Sequence, residues 1–363
     1  MVGFFASLLT AGALLATPSP PPPRLLVAGP ALAGERVVWG EQQDTLTVLR
    51  AWPDSSPLWQ SATSWFAGPL AGAATLVAFS RSYDGCPGRP GVACPVETQT
   101  LAGPPRGSLR PVGAPERCVA GGPSRRLAVS GGLVALLELR CDGTGETVIV
   151  RDGSRVLFER HGVTCCDVSL GGSYLAWRSG SAVDVLDLRT QRLAYRAEAP
   201  PGEPIAAFDV QADGKLALLL GPTGDGRVTL AWRTLGTATL HRLKLRVALP
   251  LAGPALRLIG DRVVTEAAGA GGATELVLAD LTGRVNVLAR FAAPVEQRGA
   301  IDATSDRVTW ASRRITSSRV DCPPSGQGRP CRLLKSGIET IWLANLAART
   351  PRPIARWTFT DAP

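Results

Sequence analysis

Histidine, lysine and methionine are all scarce in this chain of 363 residues: it has two histidines, His161 and His241, and one methionine. With so few imidazoles, no Ser-His-Asp or Cys-His arrangement can be argued from the sequence. Lysine occurs only at Lys215, Lys244 and Lys335, so the formal charge of +9 is almost entirely arginine. The arginines are spread along the chain instead of forming a block. That distribution reads as a solvated, codon-biased surface, with attraction to anionic glycans or teichoic-type polymers as the functional alternative and no nucleic acid expected. No glycine-rich phosphate loop opens a helix, and the "GAGG" of Gly269 to Gly272 is a loop tip. No apolar run reaches the ~20 residues that a spanning helix needs. The longest, Val2 to Ala16, is followed by a proline run, which predicts a secretory signal peptide over residues 1–17 (or a weak anchor) and a stiff spacer over 18–23.

The chain is rich in the residues that bend it and fill a core. Gly 40, Pro 30 and 45% apolar residues, against 19% charged, fit a turn-rich β protein with a large interior. The stretch "DVSLGGSYLAWRSGSAVDVLDLRTQRLAY", Asp167 to Tyr195, alternates apolar and polar residues between turn signals and predicts four antiparallel strands. Its second strand, Leu175-Ala176-Trp177, has counterparts at Val37-Val38-Trp39, Val77-Ala78-Phe79, Val134-Ala135-Leu136, Leu216-Ala217-Leu218, Val263-Val264-Thr265 and Val308-Thr309-Trp310. The middle residues are separated by 40, 57, 41, 41, 47 and 45 positions, a period that belongs to propeller blades or helical repeats. Strand alternation excludes the helical option. A lone four-stranded sheet leaves both faces partly apolar and hides them by stacking on copies of itself around an axis. The expectation is therefore an all-β fold, a single seven-bladed β-propeller of four-stranded antiparallel blades over residues 24–363. "RLLV" at Arg24 to Val27 either adds an outer strand to the last blade or opens the first.

The segments "FDVQADGKLALLL" (Phe208 to Leu220), "CDVSLGGSYLAW" and "IDATSDRVTW" resemble the strand-turn-strand of bacterial TolB-like or WD40-like propellers. The resemblance extends over nearly the whole chain as repeat architecture. It implies a binding platform for other macromolecules.

Propeller connectivity puts the second-to-third connections at one end of the ring, and here those are the long ones: 81–95, 221–226, 267–272 and 313–336. All eight cysteines fall at that end. Cys86 and Cys94 share one loop, Cys322 and Cys331 another, and each pair reads as a local disulfide worth about 2–3 kcal/mol. Cys118, Cys141, Cys165 and Cys166 are expected to form two more, with each vicinal cysteine bonded to Cys118 or Cys141; the rival reading is a zinc site. Such usage points to a secreted or cell-envelope protein. The stapled loops should flank blade one, making Arg89, Arg313, Arg314 and Arg319 the candidate binding residues for a protein or an anionic envelope polymer.

Asp167, Asp209 and Asp302 are expected on the innermost strands at matching positions. They suggest a divalent cation in the central channel or acid and base roles in a glycan- or lactone-active enzyme; the alternative is that each accepts hydrogen bonds from a neighbouring blade. No other cofactor is called for. Trp39, Trp177 and Trp310 recur at one strand position and predict packing between blades, while Trp52, Trp59 and Trp65 cluster near the first blade boundary. The expectation is a monomeric, non-catalytic binding platform that does not span a membrane, with the channel enzyme as the alternative.

Overall fold

The computed structural model describes residues 24–363, apart from positions 44–45, 55, 63–64, 85–95, 119–124, 140–145, 164–166, 222–227, 246–255, 293–295, 323–330, 349 and 361–363. The described chain is a seven-bladed β-propeller. Its only helical element among the described residues is a single 3-10 turn, Ala270–Gly272, in a blade-six connection. Every blade is a meander of strands consecutive in sequence. The stretch that predicted four strands folds as Val168–Gly171, Tyr174–Ser179, Ala182–Asp187 and Arg192–Glu198. The blade-two outer strand is broken into Arg110–Pro111 and Glu116–Cys118, both paired with Val96–Gly103. Pro111 and Pro115 flank the break, where a residue without an N–H cannot continue the ladder.

The first strands of the blades are Arg24–Ala33, Trp65–Gly72, Arg125–Ser130, Val168–Gly171, Ile205–Val210, Leu256–Ile259 and Glu296–Ala303. Each touches the first strand of the next blade, and the last touches the first, so they ring the axis. Their backbones approach closely: a Cβ on Gly72 would collide with the Leu32 carbonyl oxygen, and one on Gly171 with that of Val210. Arg24–Ala33 opens blade one, and blade seven is completed by its own fourth strand, Pro351–Thr360. The ring therefore closes without exchanging a strand.

Side chains at the blade interfaces follow from strand alternation. Seven hydrophobic clusters fill the seven interfaces, one each. In the apolar triplets the middle residue faces the next blade and the third faces the previous one. Trp39, Trp177 and Trp310 accordingly pack into the seven/one, three/four and six/seven interfaces, each 5% exposed or less. Trp52 and Trp59 do not share a surface: Trp52 packs toward blade seven beneath Arg352, and Trp59 packs on Phe79 of blade two. Trp65 begins the first strand of blade two.

The third-to-fourth turns of blades four, six and seven repeat one device. Asp187, Asp280 and Asn345 end the third strand and accept amide hydrogens from the turn, and the following Leu188, Leu281 and Leu346 donate theirs to the first-to-second turn of the same blade. Asx side chains mimic a backbone turn in this way. At that end of the ring, in blades five, six and seven, a basic residue just after the first-to-second turn also reaches across to the next blade. Lys215 donates to the Gly260 carbonyl, Arg262 to that of Ser305 and Arg307 to that of Gly34, at 3.4, 3.1 and 2.6 Å.

The expected 313–336 loop differs from the structure. Blade seven carries its hairpin outward as strands Arg307–Asp321 and Arg332–Asn345, paired as far as Asp321 with Arg332. Ile315, Thr316 and Val320 favour extended backbone, and the ladder continues through Gly337, where a Cβ would meet the Arg314 carbonyl.

Candidate functional site

Two regions concentrate polar chemistry: the channel and the end where the second-to-third connections lie. In the channel, the strand registers define one level around the axis, the residues paired with the middle of each apolar triplet. These are Ala31, Ala71 and Ala128 in blades one to three, then Ser169, Asp209, Arg257 and Asp302 in blades four to seven. Three consecutive positions are alanine and the other four are polar. Ser169 therefore occupies the position matching Asp209 and Asp302, while Asp167 lies two residues earlier, one step along the axis. Arg257 was not among the expected site residues. The signal was present, since "LRLIGDRV" and "IDATSDRV" align without a gap and set Arg257 against Asp302.

This level is a chain of hydrogen bonds between blades. Ser169 Oγ accepts the Val210 amide at 3.1 Å, Asp209 Oδ2 the Leu258 amide at 2.8 Å, and Asp302 Oδ2 the Leu32 amide at 2.8 Å. Each donor is the residue after the level position in the next blade, so one latch serves three interfaces. Ser169 also donates to Asp209 Oδ1 at 2.6 Å. Arg257 cannot accept; its Nε donates to Asp302 Oδ1 at 3.0 Å, and that oxygen also takes the Ala303 amide. Asp167 Oδ1 takes the adjacent Val168 amide at 2.9 Å.

These groups line a cavity of about 210 Å³, and the Arg257 side chain remains 40% exposed to it. Although Asp167 opens onto the lumen, the surrounding protein still desolvates it and raises its carboxyl above the usual range, against the pull of Arg257. Burial raises Asp209 likewise, opposed by Arg257, Ser169 and the Leu258 amide. Burial works against the Arg257 charge, but Asp302, Asp209 and Asp167 outweigh it and hold the guanidinium more firmly protonated than usual. Among the described residues, no three His, Cys, Asp or Glu side chains converge as metal ligands.

At the opposite, long-loop end, blades seven, one and two surround a second cavity of about 410 Å³, bounded by Leu26 to Gly29, Gly68, Ala300, Ala311 to Arg313 and Glu339. Its floor is the closure seam. Glu339, with its side chain 3% exposed, accepts Arg313 Nε at 2.9 Å and Nη2 at 2.6 Å on one oxygen, and on the other the Leu26 amide at 2.7 Å and Trp357 Nε1 at 3.0 Å. Behind it, buried Glu41 pairs with Arg50 and Arg24. Neither glutamate was singled out from sequence.

The expected binding residues separate accordingly. Arg313 is held by Glu339 and stacks over Phe359, with its guanidinium 4.5 Å from the ring centre. Arg314 and Arg319 are exposed, on the blade-seven arm. Arg89, Cys86, Cys94, Cys141, Cys165 and Cys166 lie outside the described residues, and Cys118 ends a short blade-two strand. Cys322 and Cys331 are joined by a disulfide that closes the arm's tip. Along the arm, Val320 (68% exposed) and Leu333 (55% exposed) face each other across the strands.

No protein-family model matches the chain, and no curated protein matches it. Solved structures do. BamB from Moraxella catarrhalis aligns at 17% identity over 79% of this chain and 80% of its own, with a TM-score of 0.44. One of two prolyl endopeptidases, described for inter-domain dynamics in catalysis and specificity, aligns at 11% identity over 89% of this chain, with a TM-score of 0.52. This chain spans about half of that enzyme's length, 53%. At that identity the likeness to the endopeptidase is one of fold, and it agrees with the propeller architecture read from the repeats.

Proposed function

We propose that this chain is a non-catalytic binding platform of the secreted or envelope-associated kind, engaging a protein or an anionic envelope polymer with its long-loop end. The observation that carries this reading is the disulfide-closed arm of blade seven, which offers exposed Val320, Leu333, Arg314 and Arg319 beside the seam cavity. A pre-ordered loop loses less entropy on binding than a slack one. A disulfide also fits an oxidising compartment and the secretory reading of the N-terminus. No helix among the described residues is long and apolar enough to cross a membrane. The channel supports the enzyme alternative less well, since Asp209 and Asp302 commit oxygens to amides of the next blade.

A photo-crosslinking amino acid at Ala270 or Ser317 samples the long-loop end, and one at Ser154 or Ser305 the opposite end. In the native envelope, the platform reading expects adducts from the first pair. Adducts from the second pair alone would overturn it.

A further inference from the structure

The blade-seven arm has an open edge. The first strand of blade seven pairs with Arg307–Asp321 only up to the partnership of Glu296 with Arg314. From Ile315 to Asp321 the arm is paired on one side alone among the described residues, with Arg332–Gly337. Its partner strand is likewise open beyond the pair of Ser336 with Thr360. A two-stranded ribbon whose edge is unpaired over seven residues, among the described ones, is a template for another strand. The disulfide at its tip holds that template in register.

The side chains say what kind of strand fits. The two arm segments carry Arg319, Arg332 and Lys335 against one carboxylate, Asp321. A second copy of this chain pairing edge to edge would bring two net-positive arms together, which their like charge opposes. An acidic strand is attracted instead. Alternation then fixes the order. Val320 and Leu333 lie opposite each other and so share a face, whereas Arg319 and Leu334, also paired, lie on the other. An added strand therefore places an apolar residue beside Val320 and an acidic one beside Arg319.

We infer that the Ile315–Asp321 edge of the blade-seven arm is a β-augmentation site for an extended protein segment that alternates acidic and apolar residues. The inference rests on the binding-platform reading and narrows it to one edge and one partner chemistry. Main-chain pairing supplies the affinity, and Arg319 selects the charge, with Lys335, paired with Ser318 on the other face, adding only to the arm's positive field.

The test uses the whole chain with its disulfide intact and four probes: an octapeptide alternating glutamate and valine, its lysine-valine counterpart, an N-methylated glutamate-valine version, and polyphosphate. Binding is followed by fluorescence anisotropy, and its location by hydrogen exchange. The glutamate-valine peptide should bind and protect amides within 315–321. The N-methylated and lysine peptides should bind more weakly by roughly tenfold or more, and so should the acidic peptide to an Arg319→Glu/Lys335→Glu variant. Equal binding of the N-methylated peptide, or polyphosphate binding the arm as tightly without protecting the edge, overturns strand addition. Failure of the acidic peptide to bind, or a concentration-dependent dimer that protects the same amides, also overturns it. A crosslinker at Ala270 that still captures a partner while the edge fails leaves the platform reading standing, so the two failures are distinguishable.

Discussion

Replacing Glu339 tests how a ring made only of complete blades stays shut. Its carboxylate is buried at the seam of blades seven and one, and every neighbour it bonds is a donor: two Arg313 nitrogens, the Leu26 amide and the Trp357 indole. Glu339→Ala leaves a partly buried guanidinium, an amide and an indole without their acceptor. Breaking a buried pair from one side costs about 3–5 kcal/mol. For the roughly 280 described residues, an unfolding entropy of ~2.1 cal/mol/K per residue converts about 4 kcal/mol into a fall in Tm of ~7 °C. Glu339→Gln should not rescue it, because whichever way the amide is turned its NH2 faces donors. An Arg313→Leu/Glu339→Leu double variant should recover much of the loss but retain about 1–3 kcal/mol for the stranded Leu26 and Trp357 groups. Urea unfolding of the three variants checks the order. If Glu339→Ala and Glu339→Gln both stay within ~0.5 kcal/mol of wild type, the seam is not held by this carboxylate and the reasoning is wrong.

Asp302→Ala and Asp209→Ala remove the same latch, but Asp302 sits at the seam, where no connecting chain joins the blades directly. Native-state hydrogen exchange should therefore accelerate more at Leu32 in the first than at Leu258 in the second; equal acceleration would contradict closure by side chains alone. Burial raises the Asp167 carboxyl above its unfolded value, so its ionisation costs stability that is fully present above the folded pKa and absent below the unfolded one. Asp167→Asn should be more stable than wild type at pH 7, with the gain shrinking as the pH is lowered toward about 4; a pH-independent difference refutes the assignment. Cys322→Ser/Cys331→Ser should speed exchange along the arm and cost no more than about 2–3 kcal/mol in the main unfolding transition, as loss of one local crosslink from the unfolded chain. Trp310→Ala, at the six/seven interface, should cost about 3–5 kcal/mol by calorimetry.

The blade count was legible in the chain because what makes a blade is local. Alternation in "SYLAWRSG", the Asp-Leu ends of third strands and the glycine turns act within a few residues, and seven copies written one after another announce themselves by period. Trp39, Trp177 and Trp310 could be assigned to the interfaces for the same reason, since one strand position always turns to one face.

What the tertiary structure decided depends on how a residue in one blade lies against a residue some forty or, at the seam, some three hundred positions away. Strand register put Ser169 rather than Asp167 level with Asp209 and joined each to an amide of the next blade. Closure of the ring put Glu339 against Leu26. The blade-seven arm was hidden because Ile315 to Val320 has strand chemistry but no buried face to impose a period, so only its pairing with Arg332–Gly337 made it a ribbon. Hydrogen bonds between blades join a side chain to whichever amide the packing brings near, and no local pattern encodes that meeting.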